Sequence, residues 1–382
     1  MLESLSNIWL SLTSVIMSLI LSFGTMFGIF SSSTTAPSGG YKEDEIKNVI
    51  FLIGDGMGFN HLKKTKQERG ISLVIDEIEI GGEAMTRSLS SSVTDSAAAG
   101  TALATGERTS NGAIGVYMFD LFATYSYPKS ITELCKERGM MTGVITTDET
   151  SGATPSAFSA HAYDRGDAED ITADQMVSGF DIIWGAENGI ADKATAEANG
   201  FTYVTTDDEM MALPEGSRSF AQFTNALWTL EQSDENTPTL SQMTEKAIDL
   251  LDDTDEGFFL MVEGAHIDKH SHSNEDENMT EAMAEFDNTI KLALDYAKAD
   301  GQTLVVVTAD HETGGIIVED GEYVFTQGSH SDANVPVRVY GADKLIYKGE
   351  VLNNYEIPIR IAYTLGFTED EFPCEVMVSK VA

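Results

Sequence analysis

Cysteine is almost missing from this sequence: two residues in 382, Cys135 and Cys374. Any metal held by the chain must therefore be taken by histidine and carboxylate rather than by thiolate clusters. Cys135 falls in the amphipathic run SITELCKERG, where a small buried side chain is its ordinary role. One disulfide between the two is open to the chain but is not required by the sequence. Basic residues are also scarce, with 23 Lys and Arg against 62 Asp and Glu, for a formal net charge of -39. That balance argues against a nucleic-acid-binding surface built on positive charge. It fits either a saline setting, where counterions screen self-repulsion, or simply a well-solvated surface.

Charge is absent altogether from residues 8–30, a run rich in Leu, Ile, Met and Phe, and only Glu3 is charged in the first forty residues. At the helical rise this run is long enough to cross a bilayer, so export or membrane anchoring is expected. The start lacks the basic residues of an ordinary secretory signal, which leaves a cleaved signal and a retained anchor both open. Residues 31–40, SSSTTAPSGG, read as a flexible tether. The expected organisation is a leader or anchor with tether over 1–40 and one catalytic domain over 41–382, placed in the periplasm, at the cell surface or outside the cell.

The body shows no internal repeat. Apolar runs alternate with amphipathic stretches: strands are expected at 47–55, 142–147, 181–184, 258–263, 303–310 and 335–340, and helices at 130–139, 240–251 and 279–299. Such alternation predicts an α/β fold, a three-layer sandwich whose mostly parallel central sheet is covered by helices on both faces. Its active site should lie beyond the carboxyl ends of the strands. Residues 167–238, acidic and irregular in pattern, are expected to form lids or surface excursions rather than a separate domain.

Several chemistry-bearing residues fall at those strand ends. Asp55 sits in Gly-Asp-Gly after the first strand, a weak signal alone, since such triplets are commonly plain turns. Ser96 opens an alanine-rich stretch, TDSAAAG, where a helix N-terminus would favour an anion, although Asp95 or Ser96 could equally be only a cap. The segment EGAHIDKHSH, residues 263–272, is far denser in ligands. Asp268 and His272 are four apart and share one face of a helical turn, but so do His266 and His270, and spacing does not choose between the pairs. Asp310 and His311 end another apolar run, and His330 follows in GSHS. Five of the seven histidines fall in these two regions.

Together with Ala-Thr-Pro at 153–155 these make six separated motifs that, in sequence order, resemble the alkaline phosphatase family over nearly the whole chain from Lys47 to about Gly366. The resemblance implies hydrolysis of phosphate monoesters through a phosphoserine on Ser96. Arg165, eleven residues after Thr154 of Ala-Thr-Pro, would clamp the phosphate. It also implies two zinc ions, one held by Asp268, His272 and His330, the other by Asp55, Asp310 and His311 beside Ser96. A third ion, magnesium, would take Asp55, Thr154 and Glu263. His61, His161, His266 and His270 are then left with supporting or surface roles. Family members are often homodimers, so a homodimer is expected.

Two departures from the family pattern stand out. Gly152 occupies the position before Ala-Thr-Pro where Asp or His is common, while Lys269 still follows Asp268, which puts the identity of the third ion in question. Only eighteen residues separate His311 from His330, too few for a large crown insertion. Rival readings on the same fold are a phosphodiesterase, which usually uses threonine as nucleophile, and a sulfatase, which needs a Cys-x-Pro-x-Arg-like context that neither cysteine has. A non-catalytic zinc- or phosphate-binding protein would require a broken nucleophile or ligand, and none is broken.

Overall fold

The computed structural model describes residues 45–120, 124–223, 237–252, 254–373 and 379–380. The expected leader or anchor at 1–40, with its apolar run at 8–30, and Cys374 lie outside them. Among the described residues no helix is long and apolar enough to cross a membrane.

Ten strands form the central sheet: β1 Asn48–Gly54, β2 Ile80–Met85, β3 Met141–Glu149, β4 Ile182–Ala186, β5 Thr202–Val204, β6 Ser219–Phe223, β7 Phe258–Gly264, β8 Thr303–Thr308, β9 Val335–Tyr340 and β10 Val351–Asn353. Their order across the sheet is β10-β2-β9-β8-β1-β7-β3-β4-β6-β5. Only β9 pairs antiparallel to its neighbours; every other adjacent pair is parallel. The apolar runs of β1, β7 and β8 are buried along their whole length, as strands covered on both faces must be. Each large aliphatic or aromatic side chain so placed contributes roughly 1.5–3 kcal/mol.

Helices cover both faces. On one, α4 (Ala153–Ser159) brings Phe158 edge-on to Phe51 of β1, ring centroids 5.9 Å apart. On the other, the long α8 (Asp276–Asp300) lays Phe286 against Gly54, three residues further along the same strand and hence on the opposite face. Between these in sequence, α6 (Leu240–Leu251) begins with a Thr239–Gln242 capping box and α7 (His266–His272) follows β7 directly.

The register decides where chemistry can occur. Ile53 pairs with both Glu263 and Thr308, and Thr146 with Glu263, so the carboxyl ends of β1, β3, β7 and β8 finish level with one another. Asp55, Asp148, Glu263 and Asp310 therefore leave the sheet at one edge.

The described residues 167–223 do not form the expected excursions. They supply α5 (Ala168–Val177), β4, β5 and β6, extending the same parallel sheet to its far edge. β4 matches the strand expected at 181–184; β5 and β6, three and five residues long, are too short for a period to declare itself. Cys135 is buried on α3 (Ile131–Glu137), whose Ser130–Glu133 capping box matches the expected helix start.

Candidate active site

Ser96 is the first residue of α2 (Ser96–Thr105). Capping falls to Asp95, whose Oδ1 accepts the Ala98 amide at 3.0 Å, so the serine hydroxyl is not consumed in holding the helix. Ser96 is 4% exposed, and its Oγ lies 3.1 Å from His311 Nε2. Asp95 Oδ2 accepts the Gly112 amide at 2.9 Å and faces Arg165 Nη1 at 3.4 Å. The guanidinium, 42% exposed, thus stands at the mouth of the site beside the helix N-terminus.

Two groups of ligands meet at His311. In the first, Asp268 Oδ2 is 3.3 Å from His272 Nε2, Asp268 Oδ1 is 3.6 Å from His330 Nε2, and the two imidazole Nε2 atoms are 3.1 Å apart. In the second, His311 Nε2 is 3.5 Å from Asp55 Oδ1 and 3.1 Å from Asp310 Oδ2. The His311 and His330 rings stack with centroids 3.5 Å apart, joining the groups, and His311 is also within ligand reach of the first.

These residues fit divalent cations. His272 Nδ1 donates to the Gly328 carbonyl at 3.0 Å and His330 Nδ1 to the Thr94 carbonyl at 2.9 Å. His311 Nδ1 faces Thr313 Oγ1 at 3.2 Å, and that hydroxyl donates in turn to Asp268 Oδ1. All three rings are thereby fixed with Nε2 directed inward, as ligating histidines are held. Two nitrogens about 3.3 Å apart is the spacing expected when both bind one tetrahedral zinc. Asp55 Oδ1 and Asp310 Oδ2 are buried and accept no hydrogen bond from the protein. The backbone yields to this crowding at Gly56, where φ is +75° and a side chain would begin 2.8 Å from the Asp268 Cα.

The third expected set is also at this edge. Thr154 at the start of α4 is 1% exposed, and its Oγ1 has no hydrogen-bond partner. Glu263 accepts a hydrogen bond from Thr146. Burial, and then the charges of Asp310, Asp268 and Glu263, hold the Asp55 carboxyl well above the usual carboxylate range. Burial and then Asp148 push Glu263 up to about 8. Asp268 goes the other way: burial opposes its charge, but His272, His311 and Thr313 together hold it below the ordinary range. Its hydrogen bond raises His272 to about 9.

Glu263 and His272 both bind protons more tightly folded than unfolded. Each contribution to stability is complete below the unfolded pKa and is lost as pH rises through the folded one. Above pH 6.5, where buried histidines such as His61 are neutral folded and unfolded alike, metal-free protein is therefore expected to melt at falling temperature as pH rises to about 9, with Glu263→Gln flattening the slope below about 8. Protein loaded with cations, whose carboxylates are already deprotonated, should lack this slope. Calorimetry at constant ionic strength reads the difference, and equal slopes would contradict it.

The family model for alkaline phosphatase matches residues 46–183 and 184–355. The chain belongs to the alkaline phosphatase family. It is 34% identical to alkaline phosphatase 3 of Bacillus subtilis over 302 residues, 74% of this chain and 64% of that one. Alkaline phosphatase 4 of the same organism is 33% identical over 333 residues, 80% of this chain and 69% of that one. The alkaline phosphatase of the Antarctic bacterium TAB5 superposes with a TM-score of 0.75 at 32% identity, covering 85% of this chain and 99% of that one. A substituted variant of the TAB5 enzyme carries Mg in a site called M3.

Within this alkaline phosphatase fold, all ten expected site residues gather at one sheet edge except Arg165, which stands at its rim. The ambiguity in residues 263–272 is resolved by direction: Asp268 and His272 face His330, whereas His266 and His270 are buried with each other, ring centroids 6.0 Å apart. Nor is His61 a surface residue. It is fully buried, takes the Gly58 amide on Nδ1 at 3.1 Å, and lies 3.0 Å from Ser271 Oγ, with burial bringing it down to about 3. His161 is half-buried between the Gly115 carbonyl and Glu133. Between His311 and His330 run only a short strand pair and the hairpin Ile317–Glu319 and Glu322–Val324, with no crown. The residues that sequence reasoning missed are Asp95, as the partner of Arg165, Thr313, which links two ligands, and Asp148. Only the cap position of Asp95 gave any local signal.

Proposed function

We propose that this protein hydrolyses phosphate monoesters through a phosphoserine on Ser96. The observation carrying this reading is a buried serine hydroxyl at a helix N-terminus, 3.1 Å from His311 where two histidine-carboxylate groups meet. Asp268, His272 and His330 would hold one zinc, Asp55, Asp310 and His311 a second, and Asp55, Thr154 and Glu263 a magnesium. Bound there, the ions ease deprotonation of the serine and neutralise charge on phosphoryl and leaving oxygens.

The chain's own residues account for the rest. The free N–H groups of the first turn of α2 attract the phosphoryl oxygens. Arg165 takes two of those oxygens in a fork, and Asp95, by holding the guanidinium beside α2, keeps it near the nucleophile. Ser96 Oγ forms a bond to phosphorus as the ester oxygen departs with its electron pair. Water then attacks the same phosphorus, and Ser96 leaves as phosphate is released. With recognition directed at the phosphoryl group, the alcohol portion is loosely specified and a broad range of monoesters is expected. Export, argued from residues 8–30, and a homodimer, argued from the family, belong to the same proposal.

The sulfatase alternative has no support in Cys135, which is buried away from the site with its thiol pushed up by burial. Hydrolysis of a chromogenic phosphate monoester at alkaline pH, beside the matching diester and sulfate ester, tests the reading. Monoester turnover should exceed both others by at least about a hundredfold; a preference for either rival reassigns the chemistry within the fold.

A further inference from the structure

Gly152 leaves a vacancy in side-chain volume immediately before Ala153 and Thr154, and Asp148 fills it. A Cβ built on Gly152 would lie 2.8 Å from Asp148 Oδ2. Asp148 lies near the end of β3, two residues beyond Thr146, which pairs with Glu263, and is tied to its surroundings on two sides. Its amide donates to Thr146 Oγ1 at 2.8 Å, and that same hydroxyl donates to Glu263. Its Oδ1 receives Lys269, the residue after the ligand Asp268. Asp148 therefore joins Glu263 of the third set, through Thr146, to α7 of the first.

The third set supplies few ligands. Asp55, Glu263 and Thr154 offer three oxygens, while magnesium takes about six and ordinarily keeps several waters. The hydroxyl of Thr154, buried without a hydrogen-bond partner, is an independent mark of an oxygen left for a cation. Waters completing such a shell need fixed acceptors, and Asp148 Oδ2 lies against Gly152, two residues before Thr154.

We propose that Asp148, lodged in the space left by Gly152 and fixed by Lys269, anchors the water shell of the third cation and sets that site's preference for magnesium over zinc. This rests on the third-cation assignment above. Asp148 is a positioning residue: it acts on the ion through water, and an oxygen-rich hydrated shell suits magnesium better than zinc, which favours fewer ligands.

The test is calorimetric titration of the zinc-loaded full chain with Mg2+. Asp148→Ala should weaken magnesium binding about 10–100-fold with zinc content unchanged. In the same background Gly152→Asp should recover most of that affinity, because removal of the Asp148 carboxyl leaves only the Glu149 carbonyl, 3.0 Å away, for the new Cβ to ease past, and a carboxylate returns to the space. Asp148→Asn, which keeps the shape, should fall between and carries the test if the alanine variant does not fold. Magnesium affinity of Asp148→Ala or Asp148→Asn within about twofold of wild type overturns the proposal. So does a loss that Gly152→Asp leaves unrecovered and that takes zinc with it, which would mark Asp148 as structural. Wild type that holds zinc and hydrolyses monoesters yet binds no magnesium refutes the third-cation assignment together with this proposal, while leaving the phosphatase reading in place.

Discussion

Replacing Ser96 with alanine is expected to cut monoester turnover by on the order of 10^3–10^4-fold while leaving zinc content and melting temperature near wild type. The helix does not depend on this side chain, because Asp95 caps it. The hydroxyl's hydrogen bond is to His311 Nε2, an atom that would be engaged by metal in the loaded enzyme. What disappears is therefore the nucleophile alone. Acid quenching during turnover with labelled substrate should leave label on the wild-type protein and none on the variant. Persistence of label, or turnover within about tenfold of wild type, would show that another group attacks phosphorus.

Removal of metal is expected to have an equally large effect, of a different kind. Asp55, Glu263, Asp268 and Asp310 are all buried within one small region, and the charges of the other three add to burial in raising the proton affinity of Asp55. Without cations, these carboxylates are left to protonation, to histidine and to a few hydrogen bonds such as those from Thr146 and Thr313. Chelation at pH 8 should bring activity to background and also lower the melting temperature. An ion present at a thousand times its dissociation constant contributes about 4 kcal/mol, which in a chain of this size corresponds to a fall on the order of 10 °C. Zinc with magnesium should restore both quantities, and retention of activity after exhaustive chelation would refute the metal-dependent reading.

Asp55, Asp310 and His311 were legible as candidate ligands because each closely follows an apolar run. The choice of Asp268 with His272 over His266 with His270 was not, since both pairs share the same helical spacing. Direction decides it, and direction is set by His330, a residue 58 positions from His272 that sequence alone cannot place. Asp148 and Thr313 were missed for the same reason. Their partners Lys269 and Asp268 are long-range, 121 and 45 residues away, and no local period records such a pairing. The central strands declared themselves through unbroken apolar runs. Of those in residues 182–223 only β4 did, expected at 181–184; Thr202–Val204 and Ser219–Phe223, of three and five residues, are too short to show a period.

The order of strands across the sheet has a consequence for when the catalytic edge comes into being. β1 carries Asp55, yet its two neighbours are β7 and β8, from far later in the chain. A chain still emerging from the ribosome, or threading through a membrane, has made Asp55 and Ser96 long before Asp310 and His311 exist. No early segment contains a complete set of ligands, so a partly made chain offers metal nothing more than isolated side chains. Ion capture is thus postponed until the last third of the polypeptide has joined the sheet. Bound metal would then mark molecules that have finished folding, and half-made chains would not compete with finished enzyme for a scarce ion.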